Sequence, residues 1–344
     1  MKTSQPVCIY SHPEHYASFP SITRTEGRII VSFPLQDLDV LRENSGIHPH
    51  EQKFSRHQCA FSDDEGQNWT LADQRPDHGR VLHASRGALT REGEVARANK
   101  DNTDAGPFSE CPFSPFSYER TSDGALLAAV YARDPEITDP QYSIHYTSFF
   151  LRSEDEGNSW QYFSRLPSPS RFNYEEPTIL AGPDGLVVCM IRVGWGHTPK
   201  EELPPEAENP HGRGGGTGTA MGWFFYQSLS YDHGLTWTEP EQTEIWGHPA
   251  YLLRLRSGTV LMVYGHRRPP WSVRSILSFD EGRTWDLETM MTIREFNPGG
   301  RDLGYPLATQ LDDGSVLCAY YGYISENVEK VSPQGIYVSI LKEG

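Results

Sequence analysis

Lysine is scarce in this chain of 344 residues: only six of the 30 basic side chains are lysines, and they face 46 acidic residues. The resulting formal charge of −16 argues against a nucleic-acid surface, which needs a basic excess. Cysteine is sparse as well. Cys8, Cys59, Cys111, Cys189 and Cys318 form an odd, scattered set without C-x-x-C spacing, which disfavours a disulfide scaffold or a cysteine zinc site and predicts reduced thiols, largely in the core. Long apolar runs are missing: no window approaches the ~18 uninterrupted apolar residues of a membrane span. The opening Met1-Lys2-Thr3-Ser4-Gln5-Pro6 lacks the apolar run of a signal peptide, so the expected location is cytoplasmic, or outside the cell for a secreted chain already trimmed.

What the chain has instead is arginine, glycine and proline. Twenty-four arginines in an acidic protein suggest guanidinium forks used singly, as in carboxylate recognition, or else surface ion pairs. The 31 glycines and 26 prolines are spread over the whole length, marking many short elements. Turn glycines between two apolar runs recur at Gly27, Gly124, Gly185, Gly258 and Gly314, each predicting a β-hairpin whose second strand is almost continuously apolar and hence buried on both faces.

A second repeat follows most of these hairpins. Ser62–Trp69, Ser153–Trp160, Ser230–Trp237 and Ser278–Trp285 all fit S-x-D-x-G-x-[TNS]-W. Ser and Asp can accept bonds from nearby amides to close a turn, Gly supplies positive φ, and Trp begins the next strand with a large ring. These segments resemble the Asp-box, or BNR, repeat of the sialidase (neuraminidase) superfamily. The resemblance implies an all-β propeller in which each box joins the third and fourth strands of a blade on the outer rim, with Asp64, Asp155, Asp232 and Asp280 structural.

The hairpin glycines lie 97, 61, 73 and 56 residues apart, against roughly 40–50 residues for a four-stranded blade. The first gap leaves room for one extra blade around the weaker hairpin Ala88–Val95, giving six blades in a single domain over residues 1–344, with five as the alternative. Val7–Tyr10 is expected to add an outer strand beside Gly335–Leu341, leaving no open edge. Residues 93–112 and 199–220 read as long polar insertions, either mobile surface or lids.

Candidate site residues fall at the ends of the hairpin strands. Glu175-Glu176-Pro177 opens the third hairpin and Arg192 closes it, which puts carboxylates and a guanidinium at one end of a sheet. The segment Tyr264–Arg274 is the densest Arg/His/aromatic cluster and contains Arg268 and Arg274, while Tyr305 stands among Gly and Pro before the last hairpin. The resemblance to sialidases implies that Tyr305 is the nucleophile and Glu176 its base, and that Arg192 with Arg268 or Arg274 binds the substrate carboxylate. A neutral phenol attacking an anionic sugar avoids carboxylate–carboxylate repulsion.

Ser18-Phe19-Pro20 departs from the pattern: sialidases begin with R-I-P, so one guanidinium of the clamp is missing. Arg24, Arg42, Arg56 and Arg86 are substitutes to consider. The general acid, an Asp of the following loop in sialidases, falls on Asp37 or Asp39, or on a histidine of the same loop such as His50. Glu175, Arg56, His248 and Trp195 complete the candidate substrate-binding set. No metal or cofactor is expected, because His48 and His50 lack a third ligand at recognisable spacing. The resemblance therefore implies a carbohydrate substrate and a glycosidase cleaving a terminal acidic sugar. Two alternatives stay open: a relative that inverts or eliminates next to a uronate using histidine, and a non-catalytic carbohydrate-binding propeller.

Overall fold

The computed structural model describes residues 1–43, 56–76, 80–137, 145–168, 172–194, 224–297, 302–324 and 332–342. They divide into two compact units, Met1–Ser85 with Tyr251–Gly344, and Arg86–Ala250.

In the first unit, the hairpin strands Ser21–Thr25 and Ile29–Asp37 continue into Arg56–Ser62 and Thr70–Ala72 as an antiparallel meander. A second meander runs through Ala250–Arg254, Val260–His266, Ser272–Ser278 and Asp286–Glu295. The third combines Gly304–Gln310, Val316–Tyr323 and Gln334–Lys342 with Val7–Tyr10, whose Val7 and Cys8 lie opposite Val338 and Tyr337. The N-terminal strand thus pairs where the sequence placed it. His15–Ala17 joins the first and third meanders, since it pairs with Ile29–Asp37 and meets Gln334 through Tyr16.

The second unit holds two meanders, Phe113–Arg120 with Leu126–Arg133, Tyr146–Ser153 and Trp160–Arg165, and Asn173–Ala181 with Val187–Gly194, Phe224–Ser230 and Glu241–Trp246. At the weaker predicted hairpin only Ala88–Leu89 and Val95–Ala96 pair. The insertion after it packs as neither lid nor mobile surface. Thr103–Asp104 adds to Trp160–Arg165, and Phe108 is fully buried in a stack on Phe149 at 4.2 Å. The insertion predicted at 199–220 lies outside the described residues.

The second strand of each hairpin is the core. Val187–Ile191, Val260–Tyr264 and Val316–Tyr321 are buried on both faces, as their unbroken apolar sequence predicts. Among the five cysteines Cys59, Cys189 and Cys318 are buried there, and none is in a disulfide.

The four Ser-x-Asp turns share one hydrogen-bond pattern. Ser62 Oγ donates to Asp64 Oδ1 at 2.8 Å and accepts from the Gly66 amide at 2.8 Å. Asp64 Oδ1 accepts from the Asn68 amide, its Oδ2 accepts from the Asn68 side chain, and Trp69 Nε1 donates to the Gly66 carbonyl. Ser153/Asp155, Ser230/Asp232 and Ser278/Asp280 repeat the serine and aspartate bonds within 0.1 Å. These bonds stabilise the charged carboxylate and hold Asp64 near a pKa of about 2. At Gly157, where φ is +86°, a Cβ would come within 2.3 Å of the Ala96 methyl, so only glycine fits.

Candidate functional site

Three of the hairpins are distorted alike at the end where the first strand starts and the second strand stops. Opposite Val187–Gly194, the register slips between Glu175 and Thr178, so that one extra residue is inserted. The same slip separates Gly304 from Leu307. Ala17 and Ser21 likewise pair with Leu35 and Ser32, four residues against three. At each of these bulges a non-glycine residue precedes proline with positive φ: Phe19 (46°), Glu176 (47°) and Tyr305 (42°). Left-handed backbone at such residues is unfavourable, and bulges re-aim side chains that strict alternation would send to the other face.

In the second unit the bulge aims two neighbouring carboxylates at one guanidinium. Arg192, in register opposite Glu175, places Nη1 2.8 Å from Glu176 Oε2 and Nε 3.9 Å from Glu175 Oε2. Both glutamates are buried. Burial pushes the Glu175 carboxyl up, the Glu176 charge adds to this, and Arg192 opposes it. Tyr131 faces the same group: burial raises its phenol, and the two glutamates raise it further. His248 is buried beside Trp246 at 5.8 Å between ring centroids.

In the first unit, Tyr305 follows Gly304, whose φ is +104° and whose Cβ, were there one, would stand 3.0 Å from Gly265 Cα. This close approach sets the Tyr305 segment against the end of Val260–His266. The Tyr305 ring is buried, with Phe19 edge-on at 4.7 Å, Tyr321 at 6.1 Å, and the Arg267 guanidinium over its face at 5.0 Å. Arg267 Nε donates to the Leu303 carbonyl at 2.8 Å. Asp302 accepts from the hydroxyls of Tyr16 (2.6 Å) and Tyr321 (2.7 Å), and both phenols are pushed well up, chiefly by burial and then by that carboxylate.

Beyond Arg267 the hairpin end is a knot of like charge. Arg268 donates to His266 Nε2 at 3.4 Å, and Arg274 donates to Ser272 Oγ at 3.0 Å. Burial lowers the Arg268 pKa and the Arg274 charge lowers it further, with Tyr264 opposing. His266 falls to about 4 through burial and the same two arginines, although its bond to the Pro270 carbonyl opposes the shift. A local excess of positive charge that depresses Arg268 and His266 is relieved by an anion.

The first-meander candidates lie apart from this knot in their contacts. Asp39 sits exposed on the helix Leu38–Glu43 beside Arg42 at 3.4 Å. Arg56 contacts His15 Nε2 at 2.8 Å and Asp37 at 4.0 Å. Arg24 is committed to Asp312 at 2.6 Å, and Arg86 to the Phe116 carbonyl. Ser18 is fully buried. His50, His48 and Trp195 fall outside the described residues, and no cluster able to hold a metal occurs among the described ones.

Arg267, Asp302, Phe19, Tyr321 and Tyr131 were not assigned roles from sequence. A signal for the bulges exists, however: Pro20, Pro115, Pro177, Pro249 and Pro306 stand seven to nine residues before the five hairpin glycines. Proline has no amide to give to a ladder, so its recurrence at a strand start marks an irregular pairing.

No protein-family model and no curated protein matches the chain. Solved structures do. A protein of unknown function from Dyadobacter fermentans DSM 18053 is 20% identical with a TM-score of 0.67, over 99% of this chain and 98% of that one. Trypanosoma rangeli sialidase in complex with the inhibitor DANA is 14% identical with a TM-score of 0.56, over 95% of this chain and 55% of that one. The covalent intermediate of T. rangeli sialidase with 2,3-difluorosialic acid is 13% identical with a TM-score of 0.53, over 94% and 53%. The chain thus spans about half the length of these sialidases. Its fold is the sialidase-like β-propeller.

Proposed function

We propose that the chain is a glycoside hydrolase of sialidase-like chemistry, acting on a terminal acidic sugar. The observation that carries the reading is the cluster of two guanidinium groups, Arg268 and Arg274, around the depressed His266, next along the chain from the Arg267 guanidinium that covers Tyr305. Such a knot suits a substrate carboxylate, and Arg268 and Arg274 receive it in this scheme. Tyr305 attacks the anomeric carbon as its phenolic proton leaves for Glu176, the bond to the leaving oxygen breaks, and water later releases the sugar. Protonation of the leaving oxygen falls to Asp39 or a histidine of the first meander's loop.

The direct test offers synthetic acidic glycosides, sialosides and uronides among them, to the wild type and to Tyr305→Phe. Turnover by the wild type, with a trapped sugar adduct by mass spectrometry that the variant does not form, supports the proposal. Equal turnover by the variant would sink it.

A second reading keeps the acidic sugar and changes the bond chemistry. It is favoured by the buried Ser18, which stands where the resemblance calls for arginine. Product NMR separates the two, since an inverted anomer or a new C=C bond is incompatible with a retaining tyrosine mechanism.

A further inference from the structure

Resting on the reading of Tyr305 as nucleophile, we propose that Arg267 is a positioning residue for it: the guanidinium clamps the Tyr305 ring and favours its phenolate. Two contacts of Arg267 act together. The bond from its Nε to the Leu303 carbonyl, at 2.8 Å, ties the cation to the backbone two residues before Tyr305, and its Cζ lies 5.0 Å from the ring centroid. The cation therefore moves with the ring it covers.

Other contacts keep the ring in place. Phe19 meets it edge-on with an interplanar angle of 88°, from a bulge of the same backbone form as the one that carries Tyr305. Gly304 lies against Gly265, two residues before Arg267, so the segments bearing the two partners touch through backbone.

Among the described residues of this unit, Arg267 from the hairpin end lies over the ring and Tyr321 from Val316–Tyr323 stands beside it, with Asp302 of the Tyr305 segment bonded to the Tyr321 hydroxyl. The negative charge of Asp302 opposes a nearby phenolate, and both its oxygens accept hydrogen bonds from the tyrosines Tyr16 and Tyr321. Burial first, and then the Asp302 charge, push the pKa of both hydroxyls well up. Arg267 acts in the other sense, since a phenolate spreads charge over its ring and a cation within about 6 Å of the centroid stabilises it. The same guanidinium already opposes the rise at Tyr321.

The test is an alkaline titration of the full chain followed by phenolate absorbance. Tyr305 is isolated by subtracting, in each Arg267 background, the curve of the same protein carrying Tyr305→Phe. Arg267→Gln should move the Tyr305 transition upward by about one pH unit or more, a tenfold change in the ionisation equilibrium. Arg267→Lys, which keeps the charge and loses the planar fork, should fall between wild type and Gln. An unmoved transition overturns the proposal. So does an equal shift in Lys and Gln, which would leave only the anchor to Leu303. Should the Gln variant not fold, the Lys variant decides alone: an upward shift of less than about one unit supports the coupling, and no shift or a shift of about a full unit or more overturns it. The readout needs no substrate, so a chain that hydrolyses no glycoside would defeat the hydrolase reading and leave this titration to be judged by itself.

Discussion

Two repeats run through this molecule, and they differ in what they repeat. The four Ser-x-Asp turns repeat a sequence, and their Ser-to-Asp hydrogen bonds are all 2.8 Å long. The three proline bulges repeat a backbone form, with φ between 42° and 47°, but carry phenylalanine, glutamate and tyrosine. In the turns the serine and aspartate oxygens of each copy are spent on closing the loop, so these side chains serve the turn itself. In the bulges the backbone irregularity is held constant and the side chain varies, so each copy aims a different chemistry at the same end of its sheet. Repetition of residues marks structure here, and repetition of geometry marks the candidate site.

The comparison breaks most visibly if a bulge residue can be changed without consequence for turnover. Tyr305→Phe is expected to lower turnover of an acidic glycoside by about a thousandfold or more, roughly 4 kcal/mol of barrier, while the melting temperature stays close to wild type. Steady-state kinetics beside a thermal melt decides it.

Next in size is the second unit's bulge. Arg192→Met leaves Glu175 and Glu176 buried without their guanidinium, which should destabilise the fold by about 3 kcal/mol, less whatever is regained by protonating a carboxyl. Urea unfolding measures this, and the loss should shrink in acid; a loss independent of pH contradicts the charge account.

Phe19→Leu changes the bulge that bears no reactive group. It removes an edge-to-face pair worth about 1 kcal/mol and should loosen Tyr305 enough to lower kcat several-fold, with KM little changed. An unchanged kcat would show that Phe19 is packing alone.

The smallest effects belong to the outer turns. Asp155→Asn should lower the melting temperature by roughly 1–2 °C and leave kcat/KM at the wild-type value. Asp64 carries a pH signature. Its folded pKa of about 2 lies below the unfolded carboxylate value near 3.9, so its contribution is complete above pH ~4 and is lost as pH falls from there toward 2. Acid titration of stability for Asp64→Asn should therefore converge on wild type below that window and lie beneath it above; parallel curves would refute the assignment.

Much of the fold was legible because it depends on local order. Unbroken apolar runs after Gly124, Gly185, Gly258 and Gly314 can only be buried strands, and the box residues bond within eight positions of one another. The site was legible in part: Glu175, Glu176, Arg192, Arg268, Arg274 and Tyr305 all stand at hairpin ends, and the first three meet. Phe19 and Asp302 were in view without a role, since their partners Tyr305, Tyr16 and Tyr321 lie hundreds of residues away or across a sheet.

The sequence by itself determined the hairpins, the outer turns and the acidic, arginine-rich balance, because each follows from neighbours in the chain and from short-range backbone preference. Only the tertiary structure decided that Arg267 covers Tyr305, that Arg274 depresses Arg268 and both depress His266, and that Asp302 is held by two phenols. Those relations are set by burial and by charge at distances of a few ångströms. Burial and spatial proximity belong to the packed sheets and have no counterpart in the order of residues.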